Sequence, residues 1–157
     1  MITLRDWLAE SPFSLAMSSG FFGFFAHTGM LAALEEAGVL PAEVAGSSAG
    51  ALVAGLWASG IDAPALEVEL TRLRREDFWD PWPGLGLLRG RRFRARIDSL
   101  LRVEHFSGCR VPLAVSVFDL YSRSTRVLNH GKIAPAIQAS CTVPLLFQPT
   151  WHGGRPL

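Results

Sequence analysis

Cysteine is scarce in this chain of 157 residues: Cys109 and Cys141 are the only two. They are too few for a disulfide framework, and free thiols in a reducing compartment are expected. Neither belongs to a metal-ligand pattern, and no metal or cofactor is implied. Net charge is almost absent at +1, which gives no reason to expect a nucleic-acid partner. Long apolar runs are missing too. The two longest, FFGFFAHTGMLAAL and AGALVAGLWASGI, are interrupted by glycine and fall short of the roughly 20 residues needed to span a bilayer. The N-terminus, MITLRDWLAESPF, carries Asp6, Glu10 and Pro12 where a signal peptide needs an unbroken apolar run. The expectation is a soluble cytoplasmic protein able to meet the inner membrane surface peripherally.

Hydrophobic residues make up 49% of the chain and charged residues 18%, which excludes disorder and suggests elements buried on both sides. The length suits one domain, residues 1–157, rather than two. Basic residues cluster locally at Arg72, Arg74 and Arg75 and again at Arg89, Arg91, Arg92, Arg94 and Arg96. A solvated helix face explains them, and contact with anionic lipid headgroups is the alternative.

FSLAM at 13–17 reads as a buried strand stopped by Ser18-Ser19-Gly20. In HTGMLAALEEAGVLP, Met30, Leu31 and Leu34 recur at helical spacing, with Gly38 suited to the C-terminal cap. AEVAGSS begins a second strand and AGALVAGLWASG a second helix that Gly60 ends. This alternation predicts an α/β fold with a largely parallel sheet. Residues 62–77 read as one amphipathic helix, with Asp62 as N-cap and Leu66, Leu70 and Leu73 on one face. FWDPWPGLGLLRG is too rich in Gly and Pro for regular structure. RRFRARIDSLL reads as a helix, VPLAVSVFDLYSRSTRVLNHG as a hairpin turning at Ser122-Arg123-Ser124, and KIAPAIQASCTVP as a short helix. Gly153-Gly154 suggests a turn into a final strand.

The chemistry centres on Gly46-Ser47-Ser48-Ala49-Gly50. Ser48 falls at a strand-to-helix turn, where a sharp bend presents Oγ at the sheet's C-terminal edge and the glycines Gly46 and Gly50 permit close backbone approach. The helix N-terminus that follows offers unpaired N–H groups. Upstream, SSGFFG forms another small-residue turn at the same edge. The backbone N–H groups of Gly20, Phe21 and Ala49 are therefore candidates for an oxyanion hole beside Ser48. A phosphate loop is excluded for SSGFFG by the lack of Gly-Lys-Ser/Thr.

Taken in order, SSGFFGFFAHTGMLAALEEAGVL, VAGSSAGALVAGLWASG and DLYSRSTRVLNHGKIAPAIQASCTVPLLFQPTWHGGRPL resemble a bacterial patatin-like phospholipase. The resemblance implies an α/β/α sandwich and a Ser-Asp dyad that hydrolyses lipid acyl esters. Ser48 matches the nucleophile, Gly46 and Gly50 the elbow glycines, and Gly20 the oxyanion loop. His27 and Gly29 match a His-x-Gly of structural role. The loop departs from the Gly-Gly-Gly-x-Arg-Gly of plant patatins and is closer to the Gly-Phe-Leu-Gly of animal triglyceride lipases. The dyad aspartate lies in an Asp-Gly pair just after the segment matching GRPL. No Asp-Gly occurs in this sequence, so the chain is expected to be C-terminally incomplete, with the base beyond Leu157.

Of the six aspartates, Asp119 is expected to cap the hairpin turn, whereas Asp6, Asp62, Asp77, Asp80 and Asp98 are expected to face solvent. A Ser48, Asp119, His130 or His152 triad is the alternative, and His27 and His105 complete the histidines. Tyr121, Lys132 and Cys141 carry no recognisable base motif. A non-catalytic lipid-binding protein is the competing class, using FFGFF, Trp79, Trp82 and the arginines at a membrane.

Overall fold

A computed structural model describes residues 2–152 and 154–157. The chain opens on α1 (Leu4–Ala9), which the sequence reading did not foresee. A capping box sets its start: Thr3 Oγ1 accepts from the Asp6 N–H and the Asp6 carboxylate accepts from the Thr3 N–H, both at 3.2 Å. Then come β1 (Ser14–Met17), α2 (Gly23–Ala37), β2 (Glu43–Ser47), α3 (Ala49–Ala58), α4 (Ala63–Thr71), α5 (Arg91–Leu100), β3 (Leu113–Asp119), β4 (Ser124–Leu128) and α6 (Ile133–Ser140). A short antiparallel pair follows, β5 (Trp151–His152) with β6 (Arg155–Pro156). The main sheet has the order β1-β2-β3-β4. Its first three strands are parallel, and β4 returns antiparallel to β3. The fold is thus mixed α/β with a mostly parallel sheet. Side chains alternate along the strands: Val44, Leu113, Val115 and Val117 are buried beneath α3 and α6, while Ala16, Phe118 and Val127 on the other face are exposed.

Several boundaries differ from the sequence reading for local reasons. α2 begins at Gly23 rather than near His27, because the Gly23 N–H closes a turn onto the Gly20 carbonyl at 2.8 Å and the helix grows from it. Its inward stripe is Thr28, Leu31 and Glu35, at helical spacing, so Met30 falls off that face and is exposed. Gly38 ends the helix in the left-handed region at φ +69°. The single helix expected over 62–77 is divided. Asp62 Oδ1 caps α4 through the Ala65 N–H at 2.8 Å, and Leu66 and Leu70 are buried. Past Thr71, however, the Asp77 carboxylate accepts from the Arg74 N–H at 2.8 Å and closes a separate 3₁₀ turn at Arg75–Asp77.

Asp80 is another correction: it is half-buried, not solvent-facing. Its carboxylate accepts from the N–H groups of Gly90, Arg91 and Arg92 at 3.0, 2.7 and 3.1 Å, so the loop preceding α5 caps that helix from a distance.

All ten residues of α3 are buried. A helix apolar on every side needs neighbours on every side, and α3 lies against the sheet, α2, α4 and α6. Small residues permit the approach: a Cβ at Gly55 would stand 2.5 Å from Ile137 Cδ1. The one large polar-tipped residue, Trp57, is fully buried and donates its indole N–H to Glu35 Oε1 at 2.7 Å. Glu35 Oε2 accepts from the Ala63 N–H at 2.9 Å, and the Arg110 guanidinium covers the Trp57 ring at 3.8 Å. One carboxylate therefore joins α2, α3 and the start of α4. Glu35→Ala leaves two inward N–H donors without a partner and should lower the unfolding free energy by about 2–3 kcal/mol, measured by urea denaturation; a loss under about 0.5 kcal/mol would contradict this role.

Candidate active site

The register Ser47↔Ser116 marks the end of the β2–β3 ladder. The next residue, Ser48, leaves the sheet at φ +52° and ψ −116°. That conformation is strained for a side chain with a Cβ, at about 1–3 kcal/mol, and it turns the chain directly into α3. The two flanking glycines make the bend possible. A Cβ at Gly46 would lie 2.3 Å from the Gly50 carbonyl oxygen, and one at Gly50 would lie 2.2 Å from the Met17 carbonyl oxygen. The elbow is thus packed backbone to backbone, against itself and against β1. Ser48 is half-buried, and its Oγ makes no hydrogen bond among the described residues. The Ala49 N–H opens α3 and lacks an intrahelical acceptor.

The SSGFFG turn lies beside this elbow. A Cβ at Gly23 would stand 3.9 Å from Ala49 Cβ. Gly20 adopts φ +151°, and a Cβ there would stand 4.0 Å from the Gly23 nitrogen. His27 Nε2–H donates to the Ser18 carbonyl at 2.9 Å and holds the turn from α2. The Phe21 and Phe22 rings project outward, with Phe21 80% exposed, and meet edge to face at 5.1 Å. The N–H groups of Gly20 and Phe21 have no hydrogen-bond acceptor among the described residues.

A cavity of about 510 Å³ opens at the same edge, lined by Ser47, Ser116, Phe118, Leu145, Phe147 and Leu157 among others. Its lining is mostly apolar, which suits an acyl chain or similar ligand. A smaller cavity of about 270 Å³ lies at the opposite edge, between His105, Ser107, Asn129 and His130.

That division decides against part of the sequence reading. His130 lies past β4 near Leu113, where β3 begins, so roughly 10 Å of strand, and the width of β3 besides, separates it from the elbow. It cannot serve Ser48 in a triad. The backbone of His152 lies in β5, and its side chain is outside what is described. Asp119 does lie on the elbow's edge, about 10 Å along β3 from Ser116, but its carboxylate is occupied. Oδ1 accepts from the N–H groups of Tyr121 and Ser122 at 2.9 and 3.0 Å, and Oδ2 pairs with Arg126 and Arg155 at 3.2 Å each. The Ser122 N–H, with the two guanidiniums and the Tyr121 N–H, brings its pKa down to about 2 against desolvation. A carboxylate so stabilised as an anion is a poor proton acceptor at neutral pH. It caps the hairpin turn, and through Arg155 it docks β6, where the Leu120 N–H also donates to the Pro156 carbonyl at 3.1 Å.

Sequence reasoning passed over Ser140, the last residue of α6. Its hydroxyl accepts from the Ser48 N–H at 2.8 Å and donates to the Ser116 carbonyl at 2.6 Å. Nothing in the local pattern QASCTVP distinguishes it, since its partners lie far away in sequence. Among the described residues no group of three or more His, Cys, Asp or Glu is placed to hold a metal, and no helix is long and apolar enough to cross a membrane.

A parallel sheet with a strained serine between strand and buried helix, and a glycine turn alongside, places the chain among α/β folds built around a strand–turn–helix elbow. The family model for patatin-like phospholipase matches residues 15–157, and the chain belongs to that family. An uncharacterized NTE family protein of Mycobacterium bovis is 30% identical over 98% of this chain and 44% of its own length. A patatin-like phospholipase domain-containing protein of Caenorhabditis elegans is 31% identical over 75% of this chain and 12% of its own. The chain thus spans less than half the length of either relative. VipD from Legionella pneumophila shares the fold with a TM-score of 0.77 at 16% identity, over 92% of this chain and 45% of that one. The type III effector protein ExoU matches with a TM-score of 0.56 at 19% identity, over 87% and 39%.

Asp119 yields a pH prediction. Its folded pKa of about 2 lies below the ordinary 3.8, so its stabilisation is complete above about pH 4 and is lost as the pH falls toward about 2. In urea titrations the stability gap between wild type and Asp119→Asn should be widest above pH 4 and close toward pH 2. A pH-independent gap would contradict the assignment.

Proposed function

We propose that the protein is a serine acyl hydrolase acting on phospholipids or related acyl lipids, with Ser48 as nucleophile. The observation that carries this reading is the strained Ser48 backbone between two glycines that admit no side chain. A merely structural turn needs neither the strain nor a serine there, and glycine would hold φ +52° at lower cost. Ser48 Oγ attacks the ester carbonyl carbon while its proton passes to a carboxylate. The oxyanion is met by N–H groups of Ala49, Gly20 and Phe21. The C–O bond to the alcohol breaks, the leaving oxygen takes the proton, and water then releases the fatty acid from Ser48. No aspartate among the described residues suits the base, since Asp119 is committed to its turn and arginines. The base in this proposal is an aspartate beyond Leu157, a residue that lines the same cavity as Ser47.

Substrate presentation at a membrane fits the rim. Leu85 and Leu145 are exposed at the cavity, Trp82 and Leu87 beside them, and the Leu87 N–H ties the two loops by donating to the Leu145 carbonyl at 3.0 Å. Arg75 and Arg89 cover Trp79 and Trp82 at 4.0 and 4.7 Å, and no carboxylate pairs with either among the described residues. Arginine stacked on exposed tryptophan suits an anionic headgroup layer.

Full-length protein should hydrolyse a soluble chromogenic ester and react with a fluorophosphonate, and Ser48→Ala should lose both, activity by at least about 10³-fold. Undiminished turnover in the mutant would sink the assignment. The double variant Trp82→Ser, Leu87→Ser should bind anionic phosphatidylglycerol vesicles about tenfold more weakly while retaining soluble-ester turnover. Equal vesicle binding would remove the membrane contact from the proposal.

A further inference from the structure

The β2–β3 ladder does not simply stop at Ser47. In a parallel pair the next rung would run from the Ser48 N–H to the Ser116 carbonyl, and the Ser140 hydroxyl stands between those two groups, accepting from one and donating to the other. The adjoining residue acts on the peptide unit at the other side of Ser48. Cys141 S–H donates to the Ser48 carbonyl at 3.2 Å, an oxygen that also receives the Leu52 N–H at 3.0 Å. Both backbone polar groups of Ser48 are therefore held by one dipeptide, 92 and 93 positions away in sequence.

Resting on the hydrolase reading above, we infer that Ser140, with Cys141 in support, is a positioning residue that holds Ser48 in its strained conformation. By separating β2 from β3 by one hydroxyl, Ser140 lets the chain leave the sheet at Ser48 without stranding a half-buried N–H or C=O. With the Ser48 N–H directed at Ser140, the Ala49 N–H remains the first free donor of α3, available to an oxyanion. Ser140 also lines the apolar cavity, but its hydroxyl is engaged by the Ser48 N–H and the Ser116 carbonyl, so its role here is to position Ser48 and not to bind substrate. Burial pushes the Cys141 thiol up to about 12, so it stays protonated and remains a donor at any physiological pH. Because Ser140 ends α6, the helix packed along α3 and β3, the clamp is anchored in the core rather than in a loop.

Two independent readouts test it on the full-length protein. Ser140→Ala should reduce kcat for a soluble ester, and the fluorophosphonate labelling rate, by about tenfold or more with KM within about twofold, since orientation is lost and not binding. Ser140→Thr should recover most of the rate by restoring the hydroxyl. Backbone amide exchange of Ser48, followed by NMR, should be protected in wild type and at least about tenfold faster in Ser140→Ala. If Ser140→Ala does not fold, Ser140→Cys, similar in size and a weaker partner, should show an intermediate loss in both readouts. Normal rates and an unchanged Ser48 amide would overturn the clamp while leaving the hydrolase reading intact, provided Ser48→Ala is inactive. A turnover that survives Ser48→Ala would overturn the catalytic role of both residues, and the amide exchange would then report a fold contact alone.

Discussion

The close approach of backbone to backbone at the β2–α3 bend is the constraint on which the rest of the molecule depends. Gly46, Gly50 and the Met17 carbonyl occupy space that no side chain can share, so strand, helix and neighbouring strand are fixed relative to one another within the width of a methyl group. Because α3 enters the sheet so tightly, it is buried along its whole length. Its remaining neighbours must then be apolar or small, or must bring their own polar partners, as Glu35 and Arg110 do around Trp57. The strain at Ser48 is held by this packing, without which the bend would relax.

The two edges of the sheet have separate characters. The C-terminal edge carries the elbow, the glycine turn, the apolar cavity and the Asp119 cluster. The N-terminal edge carries His105 and His130 in a small polar recess. Parallel strands produce this separation, since every β-to-α turn from β1 and β2 emerges at one edge. Asp119 shows how the chemistry of a residue follows its partners: the same carboxylate on the same edge would be a candidate base without its four hydrogen bonds, and with them it is a fixed anion joining two hairpins.

Much of this was legible in the sequence because its causes are local. Gly38, Asp62 and the glycines around Ser48 announce backbone conformations directly, and the alternation of apolar runs with Gly-terminated helical stretches defines the α/β order. What escaped depends on distance. Thr3 and Asp6 make a capping box in a stretch weighed only for export. Asp80 reads as a solvent charge until its loop folds over the start of α5. Met30, Leu31 and Leu34 share helical spacing, but the position of α2 against α3 and α4 selects Thr28, Leu31 and Glu35 for the inward face. Ser140 is invisible in QASCTVP because its partners, Ser48 and Ser116, meet only in the folded sheet.

The crowding along α3 has a consequence for how such a chain can diverge. At Gly46, Gly50 and Gly55 the space is already claimed by the Gly50 carbonyl, the Met17 carbonyl and the Ile137 side chain in turn. Growth at the first two positions meets main chain, which cannot retreat, while growth at the third meets a side chain that can shrink. Drift is therefore open at Gly55 only in concert with Ile137 and closed at the bend. The same sequence change is thus a matter of side-chain volume at one end of α3 and of chain path at the other.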